Sequence, residues 1–367
     1  VSETLDFSVN ANPAPKSADE RATILENPGF GNHFTDHQAI IEYTADADGN
    51  GDWHDARIEA YGPITLDPAA AVLHYAQEIF EGMKAYRHQD GSIWSFRPEE
   101  NAKRLNNSAK RMALPTLPEE AFLEAVKLLV QQDQDWVPDG EGMSLYIRPY
   151  VFATEAFLGV RPAKKVEFRV IASPAAGYFG PNPKPVTIWV SRNYARAGHG
   201  GTGAAKAGGN YAASLLPQME ALANGCDQVL YLDPTNDEAI EEAGTMNICF
   251  VFSDGRLVSP ELTDNVLRGI TRDSVLQVAK DQGLDVQERK ITLEEVRQGI
   301  ESGAITEIFA CGTAAVITPI GTLKDGDEIM ALPEDTAFTV TNQIRDTLVG
   351  MQTGTVEDSK GWMTRLV

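Results

Sequence analysis

Cysteine is scarce in this chain. Cys226, Cys249 and Cys311 are the only three, none lies in a CxxC pair, and three cannot all pair within one chain. That count speaks for a reduced compartment. Long apolar runs are also missing. No stretch of about 18 apolar residues occurs, so no membrane span is expected. Basic residues are few, 31 Lys and Arg against 53 Asp and Glu, for a formal net charge of −22. This balance argues against nucleic acid or an anionic membrane as the main partner. Residues 1–25 begin VSETLDFSVNANPAPKSADERA. They have no apolar core of signal-peptide length and read as a mobile polar arm, with the cytoplasm as the expected location.

What is present is ordinary globular material: 367 residues, 43% hydrophobic and 23% charged, a length that suggests two or three domains. The sharpest punctuation is the proline- and glycine-rich stretch 174–185. It cannot continue a helix or a central strand. Its flanks VEFRVIA (166–172) and VTIWVS (186–191) are strand-like. It therefore reads as an interdomain loop between domains 26–173 and 186–367, with Tyr178 and Phe179 packed on something. Before the loop, Thr116-Leu-Pro-Glu119 has the form of a capping box. Phe122, Val126 and Leu129 then share a helical face, and SLYIRPYVFAT (144–154) reads as a strand. After the loop, DQVLYLD (227–233) is a strand and NICFVFSDGRLVSP (247–260) a hairpin about Ser253–Gly255. Thr271 opens one helix, and Thr292-Leu-Glu-Glu295 caps another. Strands do not alternate strictly with helices, so the expectation is α+β in both halves, with a barrel-like sheet in the second.

Several local patterns carry little chemistry alone. GGTGAAKAGGNY (200–211) sets Lys206 between glycines, but lacks the spacing and the Gly-Lys-Ser/Thr ending of a phosphate loop. His33 and His37 stand four apart without the glutamate or third ligand of a zinc site, so no metal is expected. Gly269-Ile270-Thr271 is either an ordinary threonine cap or a helix start ready for a phosphate. The turn after EIFA (307–310) offers similar free amides. Glu241 and Glu242 read singly as solvated acids.

Together the pieces resemble one family. HYAQEIFEGMKAYR (74–87), FRPEENAKRL (96–105), LYIRP (145–149), GGTGAAKAGGNYA (200–212), EEAGTMNICF (241–250), LRGITR (267–272) and FACGTAA (309–315) are similar to the branched-chain amino acid aminotransferases. These are class IV aminotransferases and fold type IV pyridoxal-phosphate enzymes. The resemblance implies a two-domain α+β fold, with a smaller N-terminal α/β domain and a barrel-like, cofactor-binding C-terminal domain, assembled as a homodimer. It also implies a transaminase that exchanges the amino group of L-leucine, L-isoleucine or L-valine with 2-oxoglutarate, with pyridoxal 5′-phosphate as cofactor.

Residue by residue, Lys206 matches the lysine that forms the internal Schiff base, with flanking glycines that let the backbone run close to the ring. Burial and a neighbouring cation are expected to free its amine for that reaction. Tyr211 matches the tyrosine on the cofactor's phenolic oxygen, and Glu242 the glutamate that keeps the ring nitrogen protonated. Arg104 matches the phosphate-binding arginine. The amides of Ile270 and Thr271, with Thr313, complete the phosphate cup, and Arg196 lines the cofactor site. Tyr75, Phe80, Tyr146, Arg148, Thr245 and Ala314 match substrate-pocket positions. Some relatives carry a CxxC after the turn at 313–314. Here Ala315-Val316-Ile317-Thr318 follows, so that thiol switch is not available. Two other activities of the fold class, D-amino acid aminotransferase and aminodeoxychorismate lyase, lack the pairing of EGMKAYR with GGNYA. A cofactor-binding protein without turnover does not need lysine, tyrosine and glutamate together.

Overall fold

The computed structural model describes residues 5–177 and 184–367. Tyr178 and Phe179 lie outside that range. Two compact units are present. The first is Val1–Gly180 with Ala205–Gly208 and Gln352–Val367, and the second is Pro181–Ala204 with Gly209–Met351. A division at 174–185 leaves both short pieces with the C-terminal half, but their packing puts them in the first unit. Ala205 and Ala207 are buried in the first unit's core, and strand Met363–Arg365 pairs antiparallel with Ile93–Phe96.

The centre of the first unit is three long antiparallel strands, His37–Ala45, Lys165–Ala175 and Ser144–Ala153, in that lateral order. Pro174 continues the second of these, opposite Leu145. It sits near the strand's end, where a missing amide costs one ladder bond and no more. Helix Glu119–Gln132 buries Phe122, Val126 and Leu129 along one face, with the Phe122 ring 5.8 Å from that of Phe168. Its cap differs from expectation. The helix starts after Pro118 with no side-chain cap, because Asn106 bonds both the amide and the carbonyl of Leu117 and holds 116–117 outside it. His37 is not a ligand in waiting. Its ring bonds Asp133 at 2.6 Å and accepts from the Asn12 amide.

In the second unit the sheet runs Ala239–Ala243, Gln228–Asp233, Val186–Val190, Val316–Asp325, Ile305–Gly312, Asn247–Phe252, Arg256–Ser259, Asp285–Glu288. Val186–Val190 pairs parallel with both neighbours. The first strand of the row also meets the sixth, for Ala243 bridges Met246 across a two-residue turn. Gly244 supplies the positive φ that such a tight turn requires. A row whose first member rejoins its sixth must curl, and the sheet is barrel-like. The hairpin about Ser253–Gly255 forms as expected. Thr292 caps helix Leu293–Glu301 by accepting the Glu295 amide. Helix Ile270–Asp281 begins one residue before Thr271 and is capped by Gly269 without a side-chain bond.

Candidate active site

In the first unit, Lys206 is held by its backbone. Its amide donates to Ser108 Oγ at 2.9 Å, and its carbonyl accepts the Phe80 amide at 3.0 Å. The buried methyl groups of Ala205 and Ala207 anchor the chain on either side. The lysine side chain is half-buried, with Nζ 4.5 Å from the centroid of the Phe80 ring. Gly208 has a local reason to lack a side chain, because a Cβ there would run into the Glu78 carboxylate. Burial raises the Glu78 carboxyl above the usual range, against the Gly208 amide and Arg148.

The Arg148 guanidinium also lies over Phe80, at 4.5 Å, and donates Nη2 to the Tyr146 hydroxyl at 3.0 Å. Its Nε is buried with no partner among the described residues. The Tyr146 ring meets Phe30 edge-on at 5.1 Å. Lys206, Phe80, Tyr146 and Arg148 are thus brought together. Tyr75 is not part of this group: its hydroxyl donates to the Leu158 carbonyl and its ring faces Phe157. Arg104, on helix Pro98–Arg111, presents Nε and Nη2 to the two oxygens of Glu81 at 2.8 and 2.7 Å. Glu81 and Ser108 escaped the reading of the sequence. Glu81 stands within EGMKAYR and was a legible charged candidate; nothing local marks Ser108.

In the second unit, Glu242 is buried between the Arg196 guanidinium, Nε at 2.9 Å, and the Leu267 amide at 2.6 Å. Arg196 Nη1 donates to the carbonyls of Asn265 and Gly203. This gives Arg196 a definite partner, and shows that Glu242 is no solvated acid. Gly203 is tight against the Asn265 backbone, 2.6 Å from a Cβ position to the Asn265 carbonyl oxygen. Tyr231 faces the pair, and burial pushes its phenol up to about 12. Tyr211, on the short helix Gly208–Ala212, is half-buried.

Five further predicted positions, Thr245, Ile270, Thr271, Thr313 and Ala314, gather at one end of the barrel-like sheet. Asn247 pairs in register with Cys311, so the Gly244–Thr245 turn and the Thr313–Ala314 turn leave neighbouring strand ends. Asn247 Nδ2 also bonds the Leu267 carbonyl, bringing the start of helix Ile270–Asp281 to the same end. The first intrahelical acceptor, Gly269 O, is taken by Asp273. The amides of Ile270 and Thr271 therefore have no carbonyl one turn behind them.

These donor sets fit pyridoxal phosphate. A helix start with free amides and no side-chain cap suits a phosphate. A buried carboxylate suits a protonated ring nitrogen, and a lysine fixed by its backbone suits an aldehyde.

The family model described as amino-transferase class IV matches residues 78–323. The branched-chain-amino-acid aminotransferase of Mycolicibacterium smegmatis is 53% identical over 366 residues, covering 99% of this chain and 98% of that one. Its counterpart from Mycobacterium tuberculosis (strain CDC 1551 / Oshkosh) is 52% identical over 370 residues and the whole of both chains. Among solved structures, the Escherichia coli branched-chain amino acid aminotransferase superposes with a TM-score of 0.73 at 28% identity, covering 90% of this chain and 99% of that one. The T.th. branched-chain amino acid aminotransferase with pyridoxamine 5′-phosphate superposes with a TM-score of 0.72 at 30% identity and the same coverage. A full-length likeness at this identity, on the fold of the type IV pyridoxal-phosphate enzymes, leaves one assignment: the chain belongs to the class IV aminotransferases, in the branched-chain-amino-acid aminotransferase family.

Proposed function

We propose that this protein is a pyridoxal-phosphate transaminase moving the amino group between L-leucine, L-isoleucine or L-valine and 2-oxoglutarate, giving branched-chain 2-oxo acids and L-glutamate. The observation that carries the reading is Lys206, clamped by Ser108 and Phe80 with its amine over an aromatic ring. When bound, the cofactor supplies a ring that takes up the electron pair of the broken Cα–H bond. The chain supplies the rest. Lys206 Nζ receives the α-proton and later gives it back, as general base and then general acid. Glu242 holds the proton on the ring nitrogen, and Arg196 fixes that carboxylate's orientation. Tyr211 serves the phenolic oxygen. Arg104, Thr313 and the amides of Ile270 and Thr271 serve the phosphate.

For the substrate, Phe80 supplies an aromatic wall beside the Lys206 amine. Tyr146, Arg148, Thr245 and the Ala314 amide supply donors for a carboxylate. The partnerless Nε of Arg148 supports that role, since a buried guanidinium donor without an acceptor is costly. We also read the working form as a cytoplasmic homodimer. Among the described residues no helix is long and apolar enough to cross a membrane. The apolar side chains exposed on helix Leu215–Ala223 support a partner surface.

The test is the visible absorption of the purified protein loaded with pyridoxal phosphate. L-Leucine should bleach the band and D-alanine should not. Lys206→Ala should lose steady turnover by at least ~10²–10⁴-fold. A D-alanine response would move the reading to the D-amino acid enzymes. Wild-type turnover in Lys206→Ala would end it.

A further inference from the structure

Glu241 and Glu242 are consecutive on the strand Ala239–Ala243, and both are buried, at 4% and 2% exposure. They point to different partners. Glu242 faces Arg196 and the Leu267 amide. Glu241 Oε1 accepts Asn265 Nδ2 at 2.5 Å. Its Oε2, and the Oδ1 of that same Asn265, are buried with no partner among the described residues. An ionised carboxylate brings acceptors only. It therefore leaves two buried acceptor oxygens, one on each side of the contact, without a donor. Turning the amide over would set Asn265 Oδ1 against Glu241 Oε1, oxygen against oxygen. One proton on Glu241 removes the conflict, because a carboxylic acid and a carboxamide can exchange two hydrogen bonds.

We propose that Glu241 is a protonated carboxylic acid in the folded protein, locked to Asn265 as an acid–amide pair, and that it acts as a positioning residue leaving Glu242 the single anion opposite Arg196.

The surroundings favour the neutral form. Burial is the main cause and pushes the Glu241 carboxyl up to about 7; the hydrogen bond from Asn265 opposes it, Asp233 and Glu242 push the same way as burial, and Arg196 opposes them. The cavity beside Glu241 is about 20 Å³ and is also lined by Asp233, Asn236, Glu261, Thr263 and Lys290. It has room for about one water. Lys290 cannot neutralise Glu241 cheaply, since its amine is bound to Asn236 and Asp237. The pair also has a downstream effect. The Asn265 carbonyl receives Arg196 Nη1, and two residues on, the Leu267 amide reaches Glu242. Ionising Glu241 adds a second buried anion near Arg196 and loosens the segment that orients Glu242.

The sign follows from linkage. The folded carboxyl titrates higher than the unfolded one, whose ordinary value is 4.5. The pair's stabilisation is therefore fully present below about 4.5 and is lost as pH rises through about 7. Glu241→Gln keeps one acceptor and one donor and cannot titrate.

The first arm uses the cofactor-free protein. An infrared difference between wild type and Glu241→Gln should show a protonated carboxyl below about pH 6 that disappears above about pH 8. Wild type should melt level with Glu241→Gln near pH 5 and several degrees lower at pH 8, whereas Glu241→Leu should melt lower than both at each pH. The second arm rests on the reading of Glu242 given above. The ratio of wild-type to Glu241→Gln dissociation constants for pyridoxal phosphate should rise about threefold or more from pH 6 to pH 8.5. Absence of the carboxyl signal, with a melting difference flat in pH, overturns the acid–amide pair. A carboxyl signal with a flat binding ratio overturns the positioning role. Failure of both proteins to take up pyridoxal phosphate overturns the functional reading and leaves the first arm standing.

Discussion

Arg104 meets Glu81 side-on, two nitrogens to two oxygens, with Asn101 donating to the same carboxylate at 2.8 Å. The Glu81 side chain is fully buried and that of Arg104 is only 10% exposed. Such a pair contributes less by its attraction than by the penalty of breaking it. Glu81→Leu should therefore destabilise the first unit by about 3–5 kcal/mol, read by urea denaturation. It should also weaken pyridoxal-phosphate binding, because the guanidinium loses what orients it. Unchanged stability would mean Arg104 finds another acceptor. Tyr231 makes the opposite case, since its buried hydroxyl has no partner among the described residues. Tyr231→Phe should be neutral or stabilising by about 1 kcal/mol, and a loss measured by the same method would reveal an acceptor for that hydroxyl. At this scale the sequence was informative where a motif was dense. Lys206 and Glu242 stood in recognisable runs. Glu241 did not stand out, because its partner Asn265 is distant in sequence and only burial separates it from a solvated acid.

Among the elements, what could be read was what is local. Thr292 caps its helix because the Glu295 amide is left for its hydroxyl, even with the Leu293 amide bonded to the Glu238 carbonyl. Thr116 has the same pattern and fails, because Asn106 holds Leu117 from another helix. The short strand Met363–Arg365 was invisible, since three residues have no alternation to read. Its identity comes from the edge Ile93–Phe96 that it covers. The tail is also fastened by the Leu366 amide to Ile93, and by Gln131 to the Leu366 carbonyl. Removing residues 362–367 should cost about 2 kcal/mol from the buried Leu366 alone. It should also bare a strand edge that promotes self-association. Light scattering and denaturant midpoints of the truncated protein check both, and a soluble truncation of wild-type stability would show the edge needs no cover.

For the whole molecule, a net charge of −22 keeps copies apart unless an apolar surface draws them together. Leu215, Leu216, Met219 and Leu222 are 65%, 55%, 65% and 61% exposed on one short helix. That is a poor arrangement for a lone chain and a good one for an interface. Met219→Glu with Leu222→Glu should halve the sedimenting mass and lower activity with it. A monomeric wild type would remove the homodimer from the proposed function.

The path of the chain has a temporal consequence. It passes between units at 180/181, 204/205, 208/209 and 351/352. On the ribosome, the second unit has all its residues once Met351 has emerged. The first unit begins earlier but waits for residues 352–367 to supply its edge strand. Birth order and completion order are reversed, and a stop placed just after residue 351 damages the part that was begun first.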